Sequence, residues 1–542
     1  MSTSIQGQMV DLFSKKIYGV EITTDEGHIR DITKTKSKKG PYLLPGFVDA
    51  HIHIESSMLV PSEFARMALP YGTLTTVSDP HEIANVLGVV GVHYMIENAE
   101  DLPMEILFGA PSCVPASVFE TAGASLDSQT VSRLLEDPRI GYLSEVMNYP
   151  GVINRDPELM AMIAAARKNK KPVDGHAPGL RGEKLGAYVS AGIQTDHESF
   201  GYEEAKEKLG LGMKIIIREG SAAKNYTALA PLIREFPDQL MFCSDDKHPD
   251  DLLKGHINQI VARAVRDGYD LFDVLRIACI NPRLHYPLRT GMLRLNDPAD
   301  FIVAEDLTDF QINEVYFKGE RVVENGAVLF ASPAISVVNQ FNADFIKSDD
   351  LKLRALSEQI SVIEALDGQL ITNHIHHPAF IREGYAVSNP KHDVLKIVVV
   401  NRYQPGKPAI GFIKGIGIKA GAFASCVAHD SHNIVAVGID DDALVRVINK
   451  VIGQQGGIAA ALNTFVLGLD LPVAGIMSNL DGKTVAKNYS LIDLFVRTDL
   501  KSPLRAPFMT LSFMALPVIP SLKMTDKGLF DGERFEWTTV FD

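Results

Sequence analysis

A regular alternation of strand and helix patterns across residues 46–289 limits the folds open to this chain more than any other feature. Short apolar runs rich in β-branched residues, such as 72–78 and 214–217, alternate with helical patterns. One of these, 157–170, carries its basic residues in the last turn, as a helix dipole favours. The alternation predicts an α/β fold, a (β/α)8 TIM-like barrel over residues 46–289. In such barrels the chemistry collects at the carboxyl ends of the strands.

Side chains that bind metal ions recur at those predicted strand ends. His51 and His53 follow the apolar run 42–48, and on an extended backbone both imidazoles point to the same side. Because strand ends of one barrel meet at one mouth, we expect a larger set to converge there: His51, His53, Glu145, His176, His197 and Asp245. Nitrogen and carboxylate ligands without thiolate suit Zn, Mn, Fe or Ni. The set is large enough for two ions, which two-metal sites hold about 3.5–4 Å apart.

Each of these residues also has a simpler interpretation. His176 could be a loop histidine satisfied by backbone, and His197 could be solvated within Asp-His-Glu. Asp245 could cap a helix that follows Pro249, and Glu145 could be exposed. Five strand ends that all carry metal-binding side chains nevertheless favour the joint interpretation.

The segments outside the barrel predict three further units. Residues 1–45 and 290–335 both alternate short apolar runs with turns and could complete one composite β domain. Residues 336–366 are predicted to contain a linker helix. Residues 367–542 alternate β-rich runs with a clear helix near 441–452 and predict a C-terminal α+β domain.

Charge and cysteine usage exclude several classes of protein. The 542 residues include 53 basic and 67 acidic side chains, and the formal charge of −14 argues against a nucleic-acid-binding surface. The four cysteines are far apart and form no Cys-x-x-Cys pair, which indicates reduced thiols rather than a cysteine-rich zinc module. No stretch reads as a signal peptide or a membrane span, so we expect a cytoplasmic protein.

With these motifs in view, the chain resembles the amidohydrolase superfamily. The resemblance rests on residues 45–53, on the flanking β segments and on the late strand-end Asp245. More narrowly, the chain is similar to the bacterial adenine deaminases in segments 51–57, 79–86, 144–148, 174–178, 196–198, 243–246 and 428–433. The similarity covers nearly the whole chain, and these motifs are specific in combination.

The resemblance implies a metal-dependent hydrolase of purine salvage. A hydroxide generated at a binuclear Mn or Fe centre, with Zn as an alternative, would attack C6 of adenine and release hypoxanthine and ammonia. By the same resemblance, the metal ligands are His51, His53, His176, His197, the bridging carboxylate Glu145, and Asp245, which would also shuttle protons. We expect adenine as the small-molecule partner and a homo-oligomer, a dimer or larger.

The residues that would contact the purine are less sharply defined. The ring nitrogen must become protonated during attack, and Glu82 and Glu55 are candidates for the donor or for holding the purine edge. His81 and Glu82 could instead cap a helix that starts near Ile83. His429, in the distal segment that the resemblance includes, is a candidate for closing the site.

Two alternatives remain open at this stage. Another deaminase or cyclic amidohydrolase would keep the same ligands and change only the loops that select the substrate, since a fold does not fix a substrate. A non-catalytic binding protein would show no turnover with any metal. The Gly-rich stretches 411–421 and 453–457 match no phosphate-binding loop, so they do not add a nucleotide-binding function.

Overall fold

The chain begins with a set of β-strands that do not belong to the barrel. The structure, a computed structural model, describes residues 3–541. Its first strands are β1 (Thr3–Asp11), β2 (Lys16–Asp25), β3 (His28–Lys34) and β4 (Tyr42–Pro45). Strands β1, β2 and β3 pair as an antiparallel meander, and β4 pairs parallel to β1.

Eight parallel strands then form the predicted barrel. They are β5 (Phe47–Ile52), β6 (Thr73–Ser78), β7 (Glu105–Ala110), β8 (Ile140–Val146), β9 (Val173–Gly175), β10 (Thr195–Asp196), β11 (Lys214–Arg218) and β12 (Leu240–Cys243). Strands β5 to β9 form one ladder and β10 to β12 another. The Gln194 amide joins the two by donating to the Val173 carbonyl at 2.9 Å, and the Asp245 amide closes the ring by donating to the His51 carbonyl at 3.0 Å. The (β/α)8 prediction is confirmed.

Helices follow the barrel strands, as the alternation predicted. They are α1 (Pro61–Ala68), α2 (His81–Leu87), α3 (Val89–Ala99), α4 (Ser128–Glu136), α5 (Tyr149–Ile153), α6 (Pro157–Lys168), α7 (Gly182–Ser190), α8 (Tyr202–Gly210), α9 (Tyr226–Leu229), α10 (Pro249–Leu252), α11 (Ile257–Arg266), α12 (Leu271–Leu275) and α13 (Asn281–His285). Short 3-10 turns cover Ile54–Ser57, Leu69–Tyr71 and Ala230–Arg234, and a π-helical turn covers Arg276–Ile280. Side chains such as Val77, Tyr142 and Ile216 fill the barrel interior.

After the barrel the chain returns to the first sheet. The returning strands are β13 (Phe301–Ala304), β14 (Ile312–Phe317), β15 (Glu320–Glu324) and β16 (Ala327–Val328). Strand β13 pairs antiparallel to β4, which gives one eight-stranded sheet in the order β16-β15-β14-β13-β4-β1-β2-β3. Strands from both flanking segments therefore meet in one sheet, as the sequence suggested.

The predicted linker helix within 336–366 is wrong. This segment has a single 3-10 turn, Ser348–Leu351, followed by β17 (Leu353–Arg354) and β18 (Gln359–Ala365). Strand β18 lies between two partners in the C-terminal sheet and buries Ile360 and Val362. Sheet pairing with distant strands outweighs the local helical periodicity, because β-branched residues pack well on a pleated surface.

The C-terminal region is an α+β domain, as predicted. Its remaining elements are β19 (Thr372–Pro378), β20 (Ile381–Arg382), β21 (Tyr385–Ala386), β22 (Leu395–Val400), β23 (Ala409–Lys414), β24 (Ala422–Ser425), β25 (Ile434–Gly438), α14 (Asp441–Gly453), β26 (Ile458–Leu462), β27 (Phe465–Leu469), α15 (Gly482–Thr498), α16 (Pro507–Ser512), β28 (Leu522–Thr525), β29 (Gly528–Asp531) and β30 (Glu536–Trp537). Eight strands form its main sheet in the order β19-β18-β23-β22-β25-β24-β26-β27. The sequence patterns indicated α14 but not α15.

The C-terminal domain packs against the mouth of its own barrel. The Ser478 amide donates to the Met58 carbonyl at 2.8 Å, and the Gly482 amide donates to the Glu63 carboxylate at 2.9 Å. One hydrophobic core runs through both domains. Within residues 3–541, no helix is long and apolar enough to cross a membrane. The four cysteines are buried and unbridged.

Candidate active site

Three predicted ligands meet where the barrel closes. The first ligand group consists of His51 and His53 at the end of β5 and Asp245 after β12. The two imidazole Nε2 atoms lie 3.2 Å apart. The Asp245 Oδ1 atom lies 3.3 Å from the Nε2 of His53 and 3.5 Å from that of His51. All three side chains are buried.

Glu145 of β8 joins this group to a second one. The second ligand group consists of His176 after β9 and His197 after β10. Glu145 Oε2 lies 2.7 Å from His176 Nδ1 and 3.3 Å from His197 Nε2, while Oε1 lies 3.2 Å from His53 Nε2. One carboxylate oxygen therefore faces each group.

These separations fit metal coordination. Two ligand atoms on one ion, with bonds of about 2.1 Å, lie about 3.0 Å apart in octahedral and about 3.4 Å apart in tetrahedral geometry. Imidazole nitrogens and carboxylate oxygens of this site lie within 4.8 Å of one another in several overlapping sets. The simpler interpretations do not hold for Glu145, which is 3% exposed, or for His197, which is 1% exposed. Asp245 caps no helix, since α10 begins after His248 without a side-chain cap.

A buried hydrogen-bond network holds the first ligand group. Asp49 of β5 accepts from the Ser244 amide at 3.0 Å and from the Ser244 hydroxyl at 2.5 Å. His256 Nε2 lies 2.9 Å from the same carboxylate, and its Nδ1 lies 2.8 Å from the Thr73 hydroxyl. Asp49 thus ties the strand that carries His51 to the residue before Asp245.

A different network, centred on Lys208 of α8, holds the second group. The Lys208 ammonium is fully buried and donates to Asp196 Oδ2 at 2.9 Å, to Glu204 Oε1 at 2.7 Å and to the Ala177 carbonyl at 2.7 Å. Asp196 also accepts from the Ala177 amide at 2.8 Å. Since Ala177 follows His176 and Asp196 precedes His197, Lys208 fixes the backbone beside both predicted ligands.

Arg218, at the end of β11, is a site residue that the sequence analysis missed. It donates to Asp245 Oδ2 at 2.5 Å, to Glu198 Oε2 at 2.9 Å and, through Nη1, to Glu198 Oε1. Burial opposes ionisation of Asp245, but Arg218 and the ligand histidines hold the pKa of this carboxyl well below its usual range. Its position at the end of the apolar run 214–217 is the same strand-end signal that marks the predicted ligands, although an arginine does not bind metal ions.

The C-terminal domain covers the cleft above the two ligand groups. The residues lining this cleft are His53, His81, Glu82, Glu145, Met147, His176, His197, Glu198, Asp245, Asp246, Leu370, His429, Asp430, Phe513, Leu516 and Ile519. His429, from the C-terminal domain, hydrogen-bonds through Nδ1 to Glu82 Oε1. His432 Nε2 lies 2.5 Å from Glu82 Oε2. Burial opposes ionisation of Glu82, but these imidazoles hold its pKa well below the usual range.

The remaining substrate candidates also lie at this cleft or beside it. Glu55 Oε1 accepts from the Ile83 amide at 3.2 Å, so Glu55, rather than His81 or Glu82, satisfies the start of α2. Burial raises the pKa of Glu55 to about 7. His81 Nδ1 lies 3.0 Å from Asp79 Oδ2, and its Nε2 lies 3.5 Å from Glu82 Oε1.

Known proteins match the chain along nearly its full length. A family model described as "Amidohydrolase family" matches residues 42–322, and one described as "Adenine deaminase C-terminal domain" matches residues 369–536. A curated adenine deaminase of Sulfurovum sp. is 53% identical over 534 residues, which cover 98% of each chain. The chain belongs to the adenine deaminase family. Another curated member of this family, from Salinibacter ruber, is 51% identical over 541 residues, covering 100% of this chain and 99% of the relative.

Among solved structures, the β-aspartyl dipeptidase of Fervidobacterium islandicum aligns with 61% of this chain and 99% of its own, at 15% identity and a TM-score of 0.47. Membership of the adenine deaminase family confirms the resemblance that the sequence motifs indicated, including the C-terminal segment around His429.

Proposed function

We propose that the protein hydrolyses adenine to hypoxanthine and ammonia. The observation that carries this proposal is the convergence of four imidazoles, Glu145 and Asp245 at one barrel mouth. This set lies in a chain whose curated relatives of about 50% identity are named adenine deaminases.

We propose two divalent ions per chain, Mn²⁺ or Fe²⁺, with Zn²⁺ as the alternative. The first ligand group and Glu145 Oε1 would hold one ion, and the second ligand group and Glu145 Oε2 would hold the other. The short distances from each carboxylate oxygen to its group support this division. The absence of thiolate from the set favours Mn or Fe over a structural zinc site.

The protein's own residues would direct the protons. Divalent ions held by these residues would supply hydroxide near neutral pH, since a metal lowers the pKa of water from about 15.7 to about 7. Asp245 would accept the proton of the attacking oxygen and pass it to the departing amine. Arg218 keeps Asp245 ionised and orients it by binding Oδ2, which leaves Oδ1 facing the first ligand group.

The cleft offers both apolar and polar contacts for a purine. Met147, Leu370 and Phe513 line it and would pack against the ring faces. We propose that the polar groups of Glu55, His81, Glu82 and His429 hold the ring edge or position the groups that do. Because Glu82 is kept ionised by its imidazole partners, it would act as a hydrogen-bond acceptor rather than as a proton donor.

We also infer a role in purine salvage in the cytoplasm and assembly as a homo-oligomer. The net charge of −14 and the four buried free thiols support an intracellular location. Exposed Phe465 on the edge strand β27 packs against Phe495 of α15, a helix that also exposes Leu491 and Leu494. Such an apolar surface beside an unpaired strand edge supports association with a second copy.

The proposed function is tested by ammonia release and by the ultraviolet change on conversion of adenine, using protein produced with Mn²⁺ and freed of excess metal. Glu145→Gln should lose turnover by more than about 100-fold, because removing even an outer partner of a metal ligand costs 10–100-fold. Glu183→Gln, the same change at an exposed residue, should keep it. Absence of turnover at two ions per chain would contradict the substrate and direct the search to other cyclic amidines and amides.

A further inference from the structure

His429 occupies a position in the cleft that the proton path through Asp245 does not use. His429 is 2% exposed, and its ring stacks on Phe513, with ring centroids 4.6 Å apart and planes 20° apart. Its Nδ1 is bound to Glu82, whereas its Nε2 is buried and has no hydrogen-bond partner within the described part of the chain. A carboxylate oxygen of Asp246 lies 3.7 Å from Nε2.

This arrangement is that of an acid–base histidine. A carboxylate at Nδ1 fixes the tautomer and orientation of an imidazole and stabilises its protonated form, which leaves Nε2 to exchange a proton with substrate. Burial opposes the charge, but Glu82 and Asp246 raise the pKa of His429 to about 9. The other charged or titratable groups that face this ring are His432, Asp430 and His248.

The other candidates for ring protonation are bound to other groups or lie outside the lining of the cleft. Both oxygens of Glu82 are taken by His429 and His432. Glu55 Oε1 accepts from the first turn of α2; its buried Oε2 has no hydrogen-bond partner in the described part of the chain, but Glu55 is not among the residues that line the cleft. Both nitrogens of His81 face carboxylates, those of Asp79 and Glu82. Among these side chains, only His429 combines an orienting carboxylate on one nitrogen with a free, buried second nitrogen in the cleft.

We propose that His429 is a catalytic residue that protonates the purine ring nitrogen next to C6, and that Glu82 is its positioning residue. The inference rests on the proposed deamination of adenine. As the oxygen–C6 bond forms, the electron pair of the C6–N1 double bond moves to N1, which takes the proton from Nε2. The oxygen-bound proton then passes through Asp245 to the amine as the C6–N6 bond breaks. N1 keeps its proton in hypoxanthine, and the second proton of the consumed water restores His429.

This assignment gives the C-terminal domain a direct part in the reaction. The barrel supplies both ligand groups, Asp245 among them, while the domain that closes the cleft supplies the acid. His429 and Glu82 are 347 residues apart in sequence and come from different domains.

The test uses the Mn-loaded full-length protein and steady-state kinetics between pH 6 and 10. His429→Gln should lower kcat by about 10²–10⁴-fold, the usual contribution of general acid–base catalysis. Above about pH 9, where the imidazole is neutral, it should also weaken inhibition by hypoxanthine about tenfold, because neutral Nε2 then accepts a hydrogen bond from the N1–H of this product. Thermal unfolding and metal content should stay close to those of the wild type.

Two further variants test the pairing of His429 with Glu82 while keeping His429 itself. Wild-type turnover should fall at alkaline pH as His429 loses its proton. Glu82→Gln should move this fall, the alkaline limb of the pH–rate profile, to lower pH, because it removes the carboxylate that stabilises the imidazolium of His429. His432→Gln removes a competing partner of Glu82 and should not move the limb to lower pH.

The outcomes separate the two proposals. If wild-type protein turns over adenine but His429→Gln stays within about fivefold of it, or if Glu82→Gln leaves the alkaline limb unchanged, the assignment of His429 is overturned while the deaminase function stands. If the wild-type protein does not turn over adenine, the proposed function fails and this inference fails with it.

Discussion

The ammonium of Lys208 lies 2.9 Å from the carboxylate of Asp196, and both side chains are fully buried. This pair lies beside the backbone of the second ligand group. Asp196 directly precedes His197, and its other oxygen accepts a hydrogen bond from the amide of Ala177, the residue after His176. A buried pair of this kind contributes little net stability, but breaking it leaves an uncompensated charge. Its value here is that it fixes His176 and His197, two proposed metal ligands.

Lys208→Met should therefore weaken metal binding by the second ligand group and destabilise the fold. Loss of one partner of a buried pair costs about 3–5 kcal/mol, and loss of an outer partner of metal ligands lowers affinity 10–100-fold. Elemental analysis after dialysis should show close to one ion per chain in place of two. Lys206→Met, on the same helix but in an exposed ion pair with Glu235, should keep both ions. Equal metal contents in the two variants would show that Lys208 has no such role.

Asp49→Asn is expected to weaken metal binding by the first ligand group. The asparagine keeps the size of the side chain but loses the charge that binds the Ser244 hydroxyl and His256. Hydrogen bonds to a charged group contribute about 1.5–3 kcal/mol each, so the loop carrying Asp245 should loosen. The measurement is the manganese electron paramagnetic resonance spectrum, which should change from that of a coupled pair to that of a single ion. Asp31→Asn, an exposed change of the same kind, serves as control; an unaltered coupled signal in Asp49→Asn would contradict the prediction.

Arg218→Met should destabilise the metal-free protein more than the metal-loaded protein. Without Arg218, the buried carboxylates of Glu198 and Asp245 lose their shared cation, at a cost of about 3–5 kcal/mol. Divalent ions beside Asp245 would offset part of this charge. Denaturant unfolding of both forms should therefore show a smaller difference between variant and wild type when manganese is bound. A difference of the same size in both forms would argue against a cation next to Asp245.

Lys523 should make the stability of the fold depend on pH. Its ammonium is fully buried and donates to the carbonyls of Leu370 and Phe513, two residues of the cleft. Burial lowers the pKa of Lys523 to about 7, whereas an unfolded lysine titrates near about 10.4. At pH values between about 7 and about 10.4, Lys523 carries a proton in the unfolded chain but not in the folded chain. Raising the pH through this range therefore stabilises the fold.

The free energy of unfolding of the wild type, taken relative to Lys523→Met, should thus rise by about 2 kcal/mol between pH 7.5 and pH 9, and little below pH 6. Lys527→Met, an exposed change in the turn between β28 and β29, should show no such trend. Parallel pH dependences for wild type and Lys523→Met would mean that this amine stays protonated in the folded protein.

Several features of the site were predictable because their signals are local. The strand pattern before Glu145 and the short run before His197 both mark a strand end, and parallel strands in a barrel bring their ends to one mouth. The periodicity of 157–170 likewise predicted α6, which runs from Pro157 to Lys168. In each case a few neighbouring residues carry the whole signal.

Other features depended on residues far apart in the chain. The segment 353–365 has a helical pattern but forms strands, since partners near residues 372–386 and 413 complete its sheets. Helix α15 was missed, although it packs against α1 and α10 of the barrel, because its core face is completed by another domain.

The sequence by itself determined the barrel, the six candidate metal ligands and the family, because strand and helix periodicity and short motifs lie within neighbouring residues. Only the tertiary structure decided that Arg218 binds Asp245 and that Glu82 pairs with His429. It also decided that Lys208 fixes the backbone beside His176 and His197. Each of those contacts joins separate elements, and a hydrogen bond between distant residues leaves no periodic signal in either segment. Its energy exists only once the fold has excluded water from both partners.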